Sequence, residues 1–339
     1  MNTLHLKKTI ESLILSEDNY AAQMDTDVIP WLEDQKQELW LARNDNYSQK
    51  IYCAKYTAPY DFENDINGVV IISHGYTENA DKYKEVIYYF LKMGYHVYIP
   101  DHCGHGRSYR LTDDLSLVHV DRYERYIEDL LLVAHYAKDE AEELPLYLYG
   151  HSMGGGIAAA AVATEPDLFQ KVILSSPMIQ PDTSKLPWKL TGIITRIACL
   201  FGLSSHYLPG GHPYDASETF EESSSVSEVR FNYQQGIRSS EKLFQNTCGS
   251  YQWVKSAAKL RTFLMHTAWK KIHIPLLLFQ AENDHVVSAN AQYKFIQKIS
   301  RRHTAPTWLI KVPGSKHEIY NADSEILVKY WTKIFRFLG

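Results

Sequence analysis

Short runs of apolar residues recur along the chain, and most are followed by a stretch with helical periodicity. The run Gly68–Ser73, with the sequence GVVIIS, is continuous and rich in β-branched residues, as is typical of a strand buried on both faces. Two earlier runs flank the turn residues Asn44-Asp45-Asn46 and predict an opening hairpin. The predicted strands span residues 38–43, 50–56, 68–73, 95–100, 145–149, 170–176, 274–280 and 307–312.

Amphipathic stretches lie between these strands. In residues 82–92, for example, Val86 and Phe90 fall on one helical face, and Gly94 is placed to end the helix. The predicted helices span residues 82–92, 121–139, 153–164, 288–300 and 323–337. Because strands alternate with helices, we expect an α/β fold with a mostly parallel, doubly wound sheet and helices on both faces.

The alternation stops between residues 178 and 268. A structureless loop of that length would be implausible, so we predict a mainly helical cap inserted after the sixth strand, over the sheet edge at which ligands of such folds bind. Residues 186–203 of the cap are almost wholly apolar, with Lys189 and Arg196 as their charged residues. The predicted core is then residues 1–177 and 269–339, with residues 1–35 as a polar N-terminal extension and residues 59–67 as a polar loop.

Composition excludes several classes of protein. The chain has 339 residues and a net charge of −5, and its basic residues form no stripe that would indicate nucleic-acid binding. Its four cysteines are far apart, so neither a zinc site nor a disulfide framework is predicted. The first residues lack the apolar core of a secretory signal, and no apolar window approaches the length of a membrane span. We therefore expect a cytoplasmic protein, with the inner face of the membrane as the place of any peripheral contact.

The residues with the most informative chemistry form the pattern Gly150-x-Ser152-x-Gly154, between a predicted strand and an alanine-rich helix. A strand that turns into a helix within two residues strains its turn residue, and flanking glycines remove the Cβ atoms that would clash there. The bare pattern arises by chance in about one chain in ten of this length, and a small-residue packing turn is the structural alternative. Its context favours the nucleophile elbow of α/β-hydrolases.

Partners for Ser152 occur in the chain order that this fold requires, which is serine, acid, histidine. Asp284 comes shortly after the strand at 274–280 and is preferred over its neighbour Glu282 as the acid. His317 follows the last strand and is predicted to be the base, whereas His151, although adjacent to the serine, is not. The predicted catalytic residues are thus Ser152, Asp284 and His317.

An acyl-transfer serine also needs N–H donors aimed at the developing oxyanion. The residue after the nucleophile supplies one donor and the loop after the third strand supplies the other, which predicts the backbone N–H groups of Met153 and Tyr76. The loop from Asp101 to Ser108 contains two histidines, but its closely spaced glycines favour tight turns over a metal site. We expect neither a metal nor a cofactor.

The motifs together resemble the serine-hydrolase branch that includes bacterial lysophospholipase L2 and the monoacylglycerol lipases. This resemblance implies monoacyl lipid substrates and a mobile lid over an acyl-binding pocket. At Cys103 the sequence departs from the arginine that is usual in that branch. The matching motifs are His74-Gly75-x-x-Glu78-Asn79, Asp101-x-x-Gly104-His105-Gly106-x-Ser108, Gly150-His151-Ser152-Met153-Gly154-Gly155, Asn283-Asp284 and Gly314-x-x-His317-Glu318.

The sequence therefore predicts a serine ester hydrolase that cleaves a lysophospholipid or a monoacylglycerol through an acyl-enzyme. A general short-chain carboxylesterase is the alternative within enzymes, and a non-catalytic ligand-binding member of the fold is the alternative outside them. The apolar stretch at 186–203 suits either reversible contact with a membrane surface or an ordinary buried cap helix.

Overall fold

The computed structural model describes residues 3–59, 66–141, 143–182 and 188–339. Most of the predicted loop at 59–67, and the first two residues of the apolar stretch at 186–203, lie outside these ranges. The strands are β1 (Lys36–Ala42), β2 (Lys50–Tyr56), β3 (Gly68–Ser73), β4 (Tyr95–Pro100), β5 (Leu117–Val118), β6 (Leu146–His151), β7 (Lys171–Ser175), β8 (Cys248–Gly249), β9 (Leu276–Ala281) and β10 (Thr307–Val312). The helices are α1 (Thr3–Leu13), α2 (Tyr20–Gln23), α3 (Ile29–Glu33), α4 (Lys84–Lys92), α5 (Glu124–Ala141), α6 (Ser152–Thr164), α7 (Trp188–Leu200), α8 (Glu228–Ser240), α9 (Tyr251–His266), α10 (Ala289–Ser300) and α11 (Ser324–Leu338).

Eight strands form one sheet in the order β1-β2-β4-β3-β6-β7-β9-β10. The hairpin β1–β2 is antiparallel and joins β4 in antiparallel fashion, and every later pairing in the sheet is parallel. The carboxyl ends of β3, β6, β9 and β10 therefore meet at one edge, where ligands of such sheets bind. The predicted mostly parallel sheet is confirmed.

The central strands are buried on both faces, as the apolar runs predict. In β3, Val69 and Ile71 face one hydrophobic layer while Val70 and Ile72 face the other, because successive side chains of a strand point to opposite sides. Helices α5, α6 and α10 contribute to the first layer, and α4, α11 and the N-terminal helices to the second. The sheet is thus a rigid platform for the residues at its edge.

Two predicted helices begin two or three residues later than the hydrophobic pattern suggests. A 3-10 turn at Ala80–Tyr83 precedes α4, because the Asn79 side chain accepts hydrogen bonds from the backbone N–H groups of Asp81 and Lys82. The helix predicted at 121–139 begins only at Glu124, since the Asp121 carboxylate instead accepts from the backbone N–H of the next residue and from the Arg125 side chain. Local capping chemistry, which periodicity does not contain, sets these starts.

The N-terminal extension packs against both α11 and α8. After α1, a π-helical turn at Met24–Val28 joins α2 to α3, so that residues 20–33 are helical throughout. Arg230 of α8 is fully buried, and its guanidinium donates to the Glu85 carboxylate of α4 and to the Leu15 carbonyl. This buried ion pair fixes α8 between the extension and the core.

The stretch from 178 to 268 is mainly helical where it is described, with α7, α8 and α9, and it follows β7, the sixth strand of the large sheet. The sequence pattern missed one feature, the two-residue strand β8, which pairs in parallel with β5. Strands this short have no detectable period. Whether this stretch is a unit separate from the core remains a prediction. Among the described helices, none is both long enough and apolar enough to cross a membrane.

Candidate active site

Ser152 is the first residue of α6, directly after β6, and its φ of 51° places it in the left-handed region. That strain is rare for residues other than glycine and is typical of functional turns. The neighbouring glycines make the turn possible. A Cβ on Gly150 would lie 2.7 Å from the Gly154 carbonyl oxygen, and a Cβ on Gly154 would overlap the Ser73 carbonyl oxygen. The strand-to-helix turn predicted from the pattern is the one that forms.

Three predicted residues meet at the sheet edge in one hydrogen-bonded chain. Ser152 Oγ lies 2.7 Å from His317 Nε2, and His317 Nδ1 lies 2.8 Å from Asp284 Oδ2. Asp284 follows β9 and His317 follows β10, so strands at a distance in sequence bring them to the serine. All three side chains are largely buried. The arrangement has the geometry in which an imidazole can accept the serine proton.

The Asp284 carboxylate is held by several donors. Its Oδ1 accepts from the backbone N–H groups of Val286 and Val287 at 2.9 and 3.0 Å, and its Oδ2 faces the imidazole. Burial by itself raises the pKa of Asp284, but the hydrogen bond from His317 and these N–H groups outweigh burial and hold the pKa below its usual value. An ionised Asp284 fixes the proton of His317 on Nδ1 and leaves Nε2 as the acceptor.

Glu282, the rival acid, points elsewhere. Its carboxylate pairs with Lys311 at 3.0 Å and accepts from the backbone N–H of Gly314 at 3.0 Å. It supports the loop between β10 and His317. The structure therefore brings Asp284, and not Glu282, to the imidazole.

The predicted oxyanion donors come from two elements beside Ser152. Met153 lies in the first turn of α6, where the backbone N–H groups have no partner within the helix. The positive end of the helix dipole lies at this turn. Tyr76 lies on the loop after β3 and lines the same cavity as Ser152. This loop is held by Glu78, whose Oε2 accepts from the Gly75 N–H at 2.5 Å. A Cβ at Gly75 would collide with that same carboxylate, so a glycine is needed here.

A buried hydrogen-bond network surrounds Glu78. The sequence patterns assigned no role to this network, although Glu78 belongs to the motif His74-Gly75-x-x-Glu78-Asn79. Glu78 accepts hydrogen bonds from Tyr83, from Tyr320 at 2.7 Å and from Lys82 at 3.1 Å. Burial raises the pKa of Glu78, but the Lys82 ammonium and the two tyrosine hydroxyls more than offset it and hold that pKa far below the usual range. The signal that could have found the network is the group of polar residues at positions 78, 79, 81 and 82, just before a helix.

His151 lies between this network and the catalytic histidine. Its ring centroid is 4.9 Å from that of His317, and burial lowers the pKa of His151 to about 4, so it is neutral at physiological pH. The serine hydroxyl is bonded to His317 instead. That His151 is not the base stays a prediction.

Two cavities of different character flank the serine. The larger has a volume of about 170 Å³, and most of its lining residues are polar, although Phe231, Ile237, Phe244 and Val286 add apolar surface. The smaller is an almost filled apolar crevice beside Met153, of about 10 Å³. Residues of the larger cavity include Tyr76, Glu78, Lys82, Ser152, Glu218, Ser223, Ser224, Gln234, Gln235, Arg238, His317, Glu318 and Asn321, and those of the crevice include Tyr123, Tyr126, Met178, Trp253 and Leu260.

The loop from Asp101 to Ser108 has a structural role. Asp101 accepts from the backbone N–H groups of Ala80 and Arg107 at 2.7 and 2.8 Å, and a Cβ on Gly106 would overlap its carboxylate. Within the described ranges, no group of three or more histidine, cysteine or acidic side chains is arranged to hold a metal ion. The side chain of Cys103, a residue of this loop, is buried in the core.

Comparison with known sequences places these residues in context. Residues 64–324 match the Hydrolase_4 family, described as serine aminopeptidase, S33. The chain is 28% identical over 281 residues to a monoglyceride lipase homolog of monkeypox virus, an alignment that covers 81% of this chain and 89% of the viral protein. It is 37% identical over 117 residues to the monoacylglycerol lipase of Mycolicibacterium smegmatis, covering 34% of this chain and 40% of that one.

A further match is lysophospholipase L2 of Escherichia coli, 37% identical over 113 residues, which covers 32% of each chain. The chain thus aligns with well under half the length of these two bacterial relatives, whereas it aligns with most of the viral one. The resemblance to the lysophospholipase L2 and monoacylglycerol lipase branch, predicted from the motifs, is confirmed.

Solved structures give the fold. A soluble variant of monoglyceride lipase from Saccharomyces cerevisiae superposes with a TM-score of 0.71 at 17% identity, covering 90% of this chain and 95% of that chain. A thermostable carboxyl esterase from Bacillus coagulans gives 0.69 at 18% identity, covering 90% and 99%. The α/β hydrolase GrgF of a Penicillium species gives 0.61 at 16% identity, covering 89% and 97%. The predicted α/β-hydrolase fold is confirmed.

Proposed function

The chain belongs to the Hydrolase_4 family, described as serine aminopeptidase, S33, and from that premise we propose that it is a serine ester hydrolase acting on monoacyl lipids. The observation that carries the proposal is the unbroken hydrogen-bonded chain from Ser152 through His317 to Asp284 at the elbow. The relatives named monoglyceride lipase and lysophospholipase L2 support a lysophospholipid or a monoacylglycerol as the substrate.

In the proposed mechanism, His317 takes the proton of Ser152 through Nε2 while the serine oxygen attacks the ester carbonyl. Asp284 holds the imidazole in the required tautomer and stabilises the imidazolium that forms. The backbone N–H groups of Tyr76 and Met153 hold the oxyanion. His317 then protonates the leaving alcohol and activates the water that hydrolyses the acyl-enzyme. We assign no cofactor to these steps.

The two cavities support a substrate with one polar and one apolar end. The larger, polar cavity suits a glycerol-based head group, and the apolar crevice beside Met153 suits the acyl chain. Because the crevice is almost filled, an acyl chain of any length requires Trp253 and its neighbours on α9 to move. That small volume also favours a second candidate, a carboxylesterase for short acyl chains.

A panel of esters separates these functions. Monoacylglycerols and lysophosphatidylcholines with acyl chains of 2 to 18 carbons, each with Ser152→Ala as the control, are compared by kcat/KM. We expect a maximum at long chains, with no activity in the control. A maximum at two to four carbons would support the carboxylesterase, and no hydrolysis of any ester would favour a ligand-binding protein.

We further propose that α7 makes reversible contact with a lipid bilayer. The helix packs on α9, and its outward face, continued by Phe201 and Leu203, is mostly apolar, with Arg196 as an exposed charged residue on it. The side chains of Leu200 and Phe201 are 85% and 81% exposed. Single exposed apolar residues are common on protein surfaces, whereas grouped ones mark interaction sites. An apolar helix face of this kind inserts at the boundary of head groups and acyl chains, where a monoacyl lipid resides. The other exposed apolar residues of this face are Leu190, Ile193, Ile194 and Ile197.

Polar substitution of this face is expected to weaken vesicle binding at least tenfold, since two large apolar side chains would no longer leave water. The variant is Ile194→Asn with Phe201→Asn, and the measurement is co-sedimentation with phosphatidylcholine vesicles. The matched control is Leu4→Asn with Tyr47→Asn, which changes two exposed apolar residues outside the cap. Equal sedimentation of a folded variant and the wild type would refute bilayer contact through α7.

A further inference from the structure

The polar cavity beside Ser152 contains two permanently cationic side chains among its described residues, Lys82 and Arg238. Neither cation is free. Lys82 lies between two carboxylates, at 2.7 Å from Glu318 and 3.1 Å from Glu78. Arg238 Nη1 lies 2.9 Å from Glu218 Oε2.

The described cavity lining therefore has an excess of negative charge, with three carboxylates against two cations. Apart from the imidazoles of His151 and His317, the remaining polar side chains of this lining are uncharged hydroxyls and amides, among them those of Ser223, Ser224, Gln234, Gln235 and Asn321. Such groups can donate to and accept from alcohols. A phosphate brought into this cavity would meet no unpaired cation, although burying an anion requires one.

We propose that Glu218 is a specificity-determining residue, which excludes anionic head groups by occupying Arg238, so that the cavity accepts an uncharged, hydroxyl-bearing head group. The proposal rests on the proposed ester hydrolase function and names the substrate class within it. A monoacylglycerol meets the requirement, and a lysophospholipid with a net negative charge does not.

The geometry makes Glu218 the residue that determines whether the charge of Arg238 is available to a ligand. Arg238 is held from two further sides, because its Nη2 donates to the Asn246 carbonyl and its guanidinium lies over the Tyr214 ring at 4.9 Å from the centroid. Its side chain is only 19% exposed, whereas that of Glu218 is 44% exposed. Without Glu218, Arg238 would stay in place and present Nη1 to a ligand, as arginine does in phosphate sites.

Lys82 does not offer the same route to specificity. Of its two carboxylate partners, Glu78 is buried and Glu318 is half-buried, and Glu78 also holds the Gly75 N–H of the oxyanion loop. Changing this cluster would disturb catalysis with every substrate. The pair of Glu218 and Arg238 lies on the cap side of the cavity and makes no hydrogen bond to Ser152, Asp284 or His317 in the described structure.

The test compares two lipids with the same oleoyl chain, an uncharged monooleoylglycerol and an anionic lysophosphatidate, each diluted in micelles of a neutral detergent. For the wild type we expect kcat/KM to be at least tenfold lower for the anionic lipid. Glu218→Gln is expected to raise the anionic-to-neutral ratio about three- to tenfold, the effect of removing one nearby charge in a partly solvated site. Arg238→Gln is expected to lower the same ratio.

Selection by charge predicts that the anionic-to-neutral ratio rises in Glu218→Gln and falls in Arg238→Gln. A loss of local structure would instead change this ratio in the same direction in both variants. The matched control is Glu222→Gln, an exposed carboxylate of the same segment that changes the net charge equally and should leave the ratio unchanged. Inhibition of monooleoylglycerol hydrolysis by lysophosphatidate gives a second reading, and its Ki should fall in Glu218→Gln.

The proposal is overturned if the wild type hydrolyses both lipids equally well, or if Glu218→Gln changes neither the ratio nor the Ki. These results would leave the ester hydrolase function intact. Failure of that function looks different, since the wild type would then hydrolyse neither lipid nor any other ester of the panel.

Discussion

Ser152→Ala is expected to lower kcat for monoacylglycerol hydrolysis by about 10⁴- to 10⁶-fold, as the loss of a catalytic serine does in other serine hydrolases. The substitution removes one atom, Oγ, and with it the hydrogen bond of 2.7 Å to His317 Nε2. Alanine keeps the Cβ that the elbow already accommodates at a φ of 51°. The loss should therefore be chemical and not structural.

Initial rates with monooleoylglycerol measure this effect, and thermal unfolding checks that the variant is folded. Residual activity above about one hundredth of the wild type in a folded variant would contradict nucleophilic attack by Ser152, because the oxyanion donors and substrate binding alone supply far less.

Asp284→Asn is expected to lower kcat about 10³- to 10⁴-fold while KM changes little, an effect on the scale known for the equivalent substitution in a serine protease. The amide N–H₂ can face His317 Nδ1, which then becomes the acceptor, and the ring proton moves to Nε2. A protonated Nε2 cannot accept the proton of Ser152. The matched control is Glu282→Gln, two residues earlier, whose carboxylate binds Lys311 and the Gly314 N–H instead. We expect the control to keep most of the wild-type activity.

The same aspartate gives stability a defined dependence on pH. Because the pKa of Asp284 is lower in the folded protein than in the unfolded chain, its charge stabilises the fold above the unfolded pKa of about 4, and this stabilisation is lost as the pH falls through the folded value. The stabilisation that the Asp284 carboxylate gives should thus be present in the wild type above about pH 5 and be lost in acid, which unfolding of wild type and Asp284→Asn between about pH 2 and 5 measures. A free-energy difference between the two proteins that stayed the same through this range would contradict the lowered pKa of Asp284. Loss of activity in Glu282→Gln, with Asp284→Asn active, would reverse the assignment of the acid.

The sequence predicted the parts of this site that depend on local pattern and chain order. The glycines at 150 and 154 are required by steric contacts within a few residues of Ser152 and with the adjacent strand, so they are visible as a motif. Asp284 and His317 follow strands whose apolar runs can be recognised in the sequence. A parallel sheet brings the carboxyl ends of such strands to one edge.

Other features depend on contacts that no local pattern contains. The network around Glu78 joins Tyr83 and Tyr320, which are separated by more than 200 residues and meet only when the 3-10 turn before α4 and the turn after His317 pack together. The two-residue strands β5 and β8 pair through tertiary contact alone. Likewise, the ion pair of Glu218 with Arg238 links a loop to helix α8 within residues 178–268, and neither residue belongs to a recognisable motif.

Labelling with a fluorophosphonate tests the central claim most directly, because this reagent reacts with a serine only where a base and an oxyanion site activate it. After reaction, peptide mass spectrometry locates the adduct. We expect one adduct on the wild type, on the peptide that contains Ser152, and none on Ser152→Ala. An unlabelled wild type, or labelling that persists in Ser152→Ala, would contradict a mechanism built on Ser152, His317 and Asp284.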